Sequence, residues 1–304
     1  MIISKTIDSN STKFLSRDFS EKYADSLIIA VGGDGTMHEI VNTINFKNTT
    51  VALIPNGTGN DFAKHLYGSI DLEAICNKLL EPEFFMSDLI KVNEYYCMNT
   101  VSFGYDTNVL RKSLNLKKRF PFLRNASFKL AIPLTINQIK PVDYSYSFTS
   151  VAGVTRSSEG SYILSAICNG SRFGGGFIPA PNAKIDDGVI EVNQIDNLSL
   201  FDLMKKIGSY LDGTHIDKMK ESHNTRVTSG KIIPKDNKIF GNIDGELYEF
   251  KEIVFSIQSK IIRLMKWKSF HLEAFYSSNK LLFSNLLKVI IAASLACSNT
   301  TPPW

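Results

Sequence analysis

The chain is poor in cysteine and histidine and has no long uninterrupted hydrophobic run. Its four cysteines are scattered through 304 residues without a Cys-x-x-Cys pair, which argues against a zinc site or a disulfide framework and favours a reducing compartment. The five histidines form no cluster with metal-ligand spacing. No cationic segment followed by an apolar core opens the sequence, so a secretory signal is not indicated. We therefore expect a cytoplasmic protein.

Neither charge nor hydropathy points to nucleic acid or to a spanning helix. Lysine and arginine number 34 against 30 acidic residues, and a net charge of +4 is too modest to call for a nucleic-acid partner. The most apolar segment, residues 281–297, contains Lys288 and falls short of the roughly 20 apolar residues that a membrane span needs. We expect a packed or interfacial helix there. The length predicts one large domain or, more readily, two domains.

The hydrophobic pattern changes character near residue 88. Before it, strand-like segments at 1–6, 27–31 and 51–55 alternate with helix-like segments at 11–23 and 37–45, which predicts a parallel sheet flanked by helices. After it, turn residues separate strand-like segments, and this predicts a second, mainly antiparallel domain. These later strands are expected at residues 95–103, 144–151, 161–168, 189–195, 238–243 and 253–257.

A glycine-rich loop joins the second predicted strand to the next helix. Residues 31–40 read Val-Gly-Gly-Asp-Gly-Thr-Met-His-Glu-Ile. Glycines let the backbone approach an anion closely, and the N-terminus of the helix favours negative charge. A plain turn needs one glycine or at most two, so three glycines together with Asp34 and Thr36 favour a phosphate-binding loop.

A second loop repeats this arrangement after the third predicted strand. Residues 55–63 read Pro-Asn-Gly-Thr-Gly-Asn-Asp-Phe-Ala. The hydroxyl of Thr58 suits a phosphate oxygen, whereas Asp61 is equally well explained as a residue that caps a helix. Because both loops follow strands of one parallel sheet, we expect them at the same edge and in one site.

Further acids and glycines follow in the β-rich part. Asp106 comes just after an apolar run, where a lone aspartate is most often a turn residue. Three consecutive glycines at 174–176 suggest a specially shaped loop. Asp244 and Glu246 flank a glycine and present two carboxylates, although Asp-Gly is also a strong hairpin signal.

Taken in order, these motifs resemble the diacylglycerol kinase catalytic family, which includes bacterial soluble lipid kinases, sphingosine kinases and ceramide kinases. The resemblance covers about residues 1–266 and leaves the tail at 267–304 outside it. The matching motifs are Gly-Gly-Asp-Gly-Thr at 32–36, Pro-Asn-Gly-Thr-Gly-Asn-Asp-Phe-Ala at 55–63, Phe-Gly-Tyr-Asp at 103–106, Gly-Gly-Gly-Phe at 174–177, Asp-Asp-Gly at 186–188 and Asp-Gly-Glu at 244–246.

This resemblance implies an α/β plus all-β fold, with a three-layer α/β nucleotide-binding domain at 1–88 and a β-sandwich domain at 89–266. It also implies an activity, the ATP-dependent and Mg²⁺-dependent phosphorylation of a hydroxyl of diacylglycerol or a similar lipid in phospholipid metabolism. Phosphoryl transfer depends on positioning and charge neutralisation, and Mg²⁺ prefers oxygen ligands, so glycine loops and scattered aspartates suit this chemistry.

The resemblance assigns roles to individual residues. Asp34, Asp61 and Asp106 would organise Mg²⁺ through waters. Asp244, with Glu246 as second choice, would take the proton of the lipid hydroxyl. A structural Mg²⁺ would be held by the carboxylate of Asp187 and the backbone carbonyls of Lys184 and Val189. The residues expected around the nucleotide phosphates are Thr6, Gly32, Gly33, Asp34, Gly35, Thr36, Met37, His38 and Thr58.

Two departures keep other functions open. The family usually begins with a further strand and an Asn-Pro-x-x-Gly loop, which are absent from this sequence, so a truncated gene model or a catalytically weakened lipid- or nucleotide-binding protein is an alternative. His38 stands where the family commonly has Asn. An NAD kinase-like enzyme would share the first glycine loop, but the Asn-Asp-Phe-Ala and Asp-Gly-Glu motifs favour a lipid kinase.

A basic stretch bears on the membrane question. Residues 111–129 contain no acid and interleave basic with apolar side chains, which fits either peripheral contact with an anionic membrane surface or a solvated helix face over core residues. A homodimer is also compatible with the sequence. The basic residues are Arg111, Lys112, Lys117, Lys118, Arg119, Arg124 and Lys129.

Overall fold

The computed structural model describes residues 4, 6, 8–68, 70–71, 75, 82–123 and 126–267. The predicted strand at 1–6 therefore lies mostly outside the described residues, and the predicted helix at 281–297 lies wholly outside them. Within these ranges no helix is both long enough and apolar enough to cross a membrane.

The first part of the chain alternates helices and strands. Helix α1 starts at a capping box, in which the Asp8 carboxylate accepts the backbone N–H of Ser11 and the Ser11 hydroxyl oxygen accepts the backbone N–H of Asp8. Strands β1 and β2 pair in parallel, as predicted. The elements are α1 Ser9–Lys22, β1 Ser26–Gly32, α2 Asp34–Val41, β2 Thr49–Pro55 and α3 Asp61–Tyr67.

The second part is rich in strands. These strands are β3 Pro82–Val92, β4 Tyr95–Cys97, β5 Thr100–Gly104, β6 Val142–Ser150, β7 Thr155–Cys168, β8 Ile190–Asp196, β9 Ser222–Pro234, β10 Ile239–Ile243, β11 Glu246–Phe250 and β12 Ile253–Trp267. They pair with one another in antiparallel fashion. The fold class predicted from the sequence, an α/β part followed by a β-rich part, is confirmed.

The last described strand joins the two parts. Residues 253–256 of β12 pair with β9, and residues 263–265 of the same strand run parallel to β2. As a result, the twelve described strands form one hydrogen-bonded sheet, in which β12 lies between β2 and β9. The C-terminal end of β12 thus completes the sheet of the first part of the chain, which the sequence pattern alone did not indicate.

Helices fill the connections of the β-rich part. They are α4 Tyr105–Arg119, a 3₁₀ turn Pro121–Leu123, α5 Ser127–Thr135, a 3₁₀ turn Ile136–Gln138, α6 Leu200–Asp212 and α7 His215–Lys218. The predicted single strand at 95–103 is wrong, because the structure divides it into β4 and β5. The physical reason is that the N–H groups of Met98 and Asn99 point to the carboxylate of Asp244.

The two largest hydrophobic clusters of the described residues lie one in each part of the chain. One lies in the α/β part and includes Met37, Leu53 and Phe62, all nearly inaccessible to solvent. The other lies in the β-rich part, where Phe103 packs edge-on against Tyr144. Large buried side chains of this kind provide most of the stabilisation of a fold, because each removes a large apolar area from water. The two glycine loops lie at the carboxyl ends of β1 and β2, above the first core.

Candidate active site

The two glycine loops contact each other through their backbones. The N–H of Asn56 donates to the carbonyl of Gly32 at 2.8 Å. A Cβ atom on Gly57 would lie only 2.5 Å from the Cα of Gly33, a distance that no side chain can occupy. Glycine is therefore required where the loops cross, and the predicted meeting of the two loops at one sheet edge is what the structure contains.

Asn60 gives the second loop its shape. Its backbone has a left-handed φ of 50°, and its side chain accepts the N–H of Gly57 at 2.8 Å and donates to the Gly57 carbonyl at 3.0 Å. Asparagine tolerates this conformation because its short side chain can bond to the nearby backbone. Asn60 belongs to the motif at 55–63, but no role was predicted for it from the sequence. An asparagine between a glycine and a helix start was the available signal.

Asp34 and Asp61 bring two carboxylates together beneath these loops. The oxygens of Asp34 accept the N–H groups of Asp61 at 3.1 Å and Phe62 at 3.0 Å. A Cβ atom on Gly59 would meet Oδ2 of both aspartates, at 3.2 and 3.4 Å. Desolvation and the neighbouring Asp61 charge raise the pKa of Asp34 to about 6. Two oxygen ligands that repel each other in this way fit a divalent cation.

Asp61 connects the second loop with the triple-glycine turn. Its Oδ1 accepts from Lys64 Nζ at 3.1 Å, and its Oδ2 accepts the N–H of Gly175 at 2.7 Å. All three residues of the turn at 174–176 have positive φ, between 62° and 131°. The sequence prediction of a specially shaped loop is confirmed, since L side chains rarely adopt this backbone conformation.

Four further residues that were predicted to surround the nucleotide phosphates differ in their burial. The side chain of Thr36 folds back over Gly32, and Met37 is buried in the core, so its side chain does not reach the loops. Thr58 lies partly exposed between Gly57 and Gly59. Thr6 is exposed just before α1.

Asp244 is enclosed by hydrogen-bond donors. Its carboxylate accepts the backbone N–H groups of Met98, Asn99 and Thr100 at 2.9, 2.8 and 3.2 Å, and the thiol of Cys97 at 3.2 Å. Burial acts to raise its pKa, but the bonds from His38 and from the backbone outweigh burial and lower the pKa. A carboxylate held in this way is an anchor that fixes the turn between β10 and β11.

The His38 side chain links the Asp244 carboxylate to β11. Its Nδ1 lies 3.4 Å from Asp244 Oδ2, and its Nε2 lies 2.9 Å from the hydroxyl of Tyr248. The imidazole is 3% exposed, so these two contacts orient it within the protein. The His38 side chain is therefore directed at the Asp-Gly-Glu turn and away from the space between the glycine loops.

Glu246 is the carboxylate of this turn that faces solvent. A Cβ atom on Gly35 would lie 2.9 Å from Glu246 Oε1, which places the carboxylate at the N-terminal turn of α2. In the described part of the chain no hydrogen bond engages this carboxylate. Desolvation, together with the charges of Glu39 and Asp244, raises the pKa of Glu246, although His38 acts in the opposite direction.

Asp106 lies in the first turn of α4, within hydrogen-bond distance of β10. Its Oδ2 accepts from the Ser102 hydroxyl and from Asn242 Nδ2, the latter at 2.9 Å, whereas its buried Oδ1 has no hydrogen-bond partner among the residues that the structure describes. Burial raises the pKa of Asp106 to about 6. The unpartnered oxygen of a buried carboxylate is a ready acceptor for a ligand hydroxyl or for water on a cation.

A cavity with predominantly apolar walls adjoins Asp106. It lies between α4, α5 and α6, and Phe173 and Phe177, which flank the triple-glycine turn, form part of its wall. Asp106 and Lys206 are the charged residues of its lining, and Lys206 is paired with Glu221 at 2.7 Å. The remaining lining residues are Tyr105, Val109, Phe128, Ile132, Ile163, Leu164, Ile195, Leu203, Ile207, Tyr210 and Met219.

The predicted structural metal site at Asp187 is partly engaged by protein groups. Asp187 Oδ1 accepts the N–H of Val189 at 3.1 Å, and its Oδ2 accepts from Arg226 Nη2 at 3.1 Å. Lys184 is exposed in the same loop. Among the residues that the structure describes, no group of three or more His, Cys, Asp or Glu side chains surrounds a point suited to a metal. The guanidinium already supplies positive charge to this carboxylate.

Asp88 fixes the loop that contains Asp187. This fully buried side chain accepts the N–H of Gly188 and the N–H of Lys260, both at 2.7 Å. Asp88 lies on β3, so these two bonds connect the loop that contains Asp187 to β3 and connect β3 to β12. Asp88 was not predicted as a functional residue, because a single aspartate within an apolar strand segment carries no distinctive signal.

Family models match both parts of the chain. The diacylglycerol kinase catalytic domain matches residues 1–92, and the YegS C-terminal NAD kinase beta sandwich-like domain matches residues 99–266. A relative described as "Probable lipid kinase YegS-like" from Shewanella frigidimarina is 28% identical over 256 residues, 82% of this chain and 80% of the relative. A protein with the same description from Pseudomonas aeruginosa is 26% identical, covering 84% and 81%.

A solved structure has the same fold. The crystal structure described as a diacylglycerol kinase from Bacillus anthracis superimposes with a TM-score of 0.62 at 19% identity and covers 87% of this chain and 84% of its own. The expected resemblance is confirmed by the two family models, and the solved structure agrees with it in fold. With its glycine loops, its enclosed acids and these two matched domains, the chain belongs to the diacylglycerol kinase-like family of kinases.

Proposed function

We propose that this protein is a lipid kinase that transfers the γ-phosphate of ATP to a hydroxyl of diacylglycerol or a similar lipid, with Mg²⁺, as a step of phospholipid metabolism. The observation that carries the proposal is the placement of the exposed Glu246 carboxylate at the N-terminal turn of α2, beside the crossing glycine loops. A phosphate bound at this turn would have a proton acceptor next to it.

The glycine loops form the nucleotide side of the proposed site. The free N–H groups at the start of α2 favour phosphate, and the close crossing of Gly33 and Gly57 lets the phosphates approach the backbone. Residues 32–36 and Thr58 line this space. Thr6 remains a predicted contact, and Met37 and His38 contribute through the backbone and through positioning.

Glu246 is the better candidate for the general base, although Asp244 was the first choice from the sequence. The Asp244 carboxylate already accepts several bonds and its pKa is lowered, so it is a weak proton acceptor. Glu246 is exposed, has a raised pKa and lies at the start of α2. In the proposed step Glu246 accepts the hydroxyl proton, the lipid oxygen bonds to the γ-phosphorus, and the bond to ADP breaks.

Asp34 and Asp61 are the residues that would hold Mg²⁺, directly or through waters. Their oxygens approach the same point beside Gly59, and their mutual repulsion would be relieved by a cation. Bound Mg²⁺ would neutralise the charge that develops on the transferred phosphoryl group. Asp106, with its unpartnered oxygen, would serve as a water-mediated ligand or as an acceptor for a second polar group of the lipid.

The cavity beside Asp106 supports a lipid acceptor in preference to a dinucleotide. Its walls are formed largely by aliphatic and aromatic side chains, with the Asp106 carboxylate and the ion-paired Lys206 as the charged groups of the lining. Such a site suits an acyl chain whose polar end remains near Asp106. The recognition of an adenine and a second ribose, as in an NAD kinase-like enzyme, would need more hydrogen-bonding groups.

The test is the transfer of label from γ-labelled ATP to lipid in mixed micelles. We expect the purified chain to phosphorylate diacylglycerol with Mg²⁺ and to lose this activity when the metal is chelated. The same enzyme should leave NAD unlabelled. Labelled NAD without labelled lipid would assign the protein to the NAD kinases, and folded protein inactive on both would favour a binding function.

A further inference from the structure

We propose that α4, α5 and the 3₁₀ turn Pro121–Leu123 form a docking surface for an anionic lipid bilayer. The docking face is defined as the exposed side chains of residues 114–123 and 126–134. The proposal rests on the proposed function, because a kinase whose acceptor stays in a bilayer must reach that bilayer. Its test uses binding, so the two proposals can fail independently.

Large apolar side chains on this face are exposed to solvent. Phe122, in the 3₁₀ turn, is 81% exposed, and Leu134 and Leu130 on α5 are 52% and 43% exposed. Phe120 lies edge-on to Phe122 at a centroid distance of 6.1 Å, so the two rings form one projection. A cluster of this kind on a monomer surface is typical of an interaction site, because water solvates it poorly.

The charge of the face identifies the partner. Residues 114–123 and 126–134 contain four basic residues and no acidic residue, whereas the net charge of the whole chain is only +4. Lys118 and Arg119 are exposed, and the Arg119 guanidinium lies 5.5 Å from the centre of the Phe120 ring. Aromatic rings framed by basic groups complement the interfacial region and the negative surface of an anionic bilayer.

The same helices form the wall of the apolar cavity. Phe128 and Ile132 of α5 line the cavity, whereas Leu130 and Leu134 are exposed. Helix α5 is fixed to the start of α4 by the Tyr105 hydroxyl, which donates to the Ile132 carbonyl at 2.8 Å. A bilayer on the docking face would therefore lie one helix away from the cavity that we assign to the lipid acceptor.

The experiment is sedimentation of the full chain with vesicles of phosphatidylcholine alone or of phosphatidylcholine with phosphatidylglycerol. We expect binding to the anionic vesicles that weakens with salt. Phe122→Asp should lower the partition coefficient by at least about tenfold, because it removes a membrane-inserted ring. The double substitution K118Q/R119Q should lower it by about 30-fold at low salt, since each basic group near anionic lipid contributes about a factor of five.

Matched controls lie elsewhere on the surface. Phe14→Asp, on α1 where Phe14 is 69% exposed, and K220Q/K251Q, which removes two exposed charges, should bind like the wild type. Equal binding to both vesicle types, or equal losses in the controls, would overturn the docking proposal. Turnover of a water-dispersed short-chain diacylglycerol is measured separately. Turnover without vesicle binding refutes docking alone, whereas face-dependent vesicle binding by a protein without lipid kinase activity refutes the proposed function alone.

Discussion

Replacing Asp106 with Asn should weaken the dependence of protein stability on pH. The pKa of this carboxyl rises from 3.8 to about 6 in the folded protein, mainly because the side chain is buried. A carboxyl with a raised pKa binds more protons in the folded than in the unfolded chain, so it stabilises the fold at acidic pH. That contribution is lost as the pH rises through about 6, where the buried group ionises.

The raised pKa of Asp106 corresponds to roughly 3 kcal/mol of unfolding free energy at acidic pH. About 2 kcal/mol of this stabilisation is lost when the pH rises from about 4.5 to 7.5. The wild type should therefore gain about 2 kcal/mol more unfolding free energy than Asp106→Asn when the pH is lowered across this interval. The amide places a donor where Oδ1 had no partner, and this costs stability at every pH. The cost cancels in the difference between the two pH values.

The assay is urea unfolding followed by circular dichroism, for both proteins at both pH values without ligand. Asp236→Asn, in an exposed turn, is the matched loss of one carboxylate and should change the pH dependence little. If Asp106→Asn shows the same pH dependence as the wild type, the carboxyl is not desolvated as the structure indicates. Asp106 Oδ1 would then be no candidate acceptor for a ligand either.

Two further predictions concern the glycine loops and the loop near Asp187. Gly57→Ala should separate the two glycine loops, because the new methyl group would lie 2.5 Å from Gly33 Cα. We expect the free energy of unfolding to fall by about 1–3 kcal/mol in a thermal unfolding experiment. Calorimetry should show weaker ATP binding. Unchanged ATP affinity would show that the crossing does not shape the phosphate site. Asp88→Asn should destabilise the protein by about 1–3 kcal/mol in urea unfolding, because one of the N–H groups of Gly188 and Lys260 loses its acceptor. Wild-type stability would contradict this role.

The local elements around the glycine loops were predictable because their signals are short-range. The apolar runs and helical spacing around residues 26–44 indicate β1 and α2, and parallel pairing then places both loops at one edge. The contact between Gly33 and Gly57 follows from this geometry. Their exact crossing depends on Asn60, whose left-handed backbone has no periodic signature.

Longer-range features could not be predicted in this way. The donors that enclose Asp244 come from residues about 145 positions earlier in the sequence. The residues around the Asp-Gly-Glu motif therefore give no sign of the lowered pKa of Asp244 or of the division of the predicted strand at 95–103. The same holds for β12, which pairs with β2 although the two strands are separated by most of the chain. Hydrophobic pattern identifies a strand but not its distant neighbour.

The most direct test of the account is the rate of phosphate transfer to diacylglycerol by Glu246→Gln. General-base removal should lower kcat by about 10² to 10⁴-fold while ATP binding and thermal stability stay close to those of the wild type. Glu249→Gln is the matched control, since this exposed carboxylate of β11 is paired with Lys238 at 3.0 Å, away from the glycine loops, and it should retain full activity. A near-normal rate for Glu246→Gln in the folded protein would contradict the assignment of Glu246 as the base.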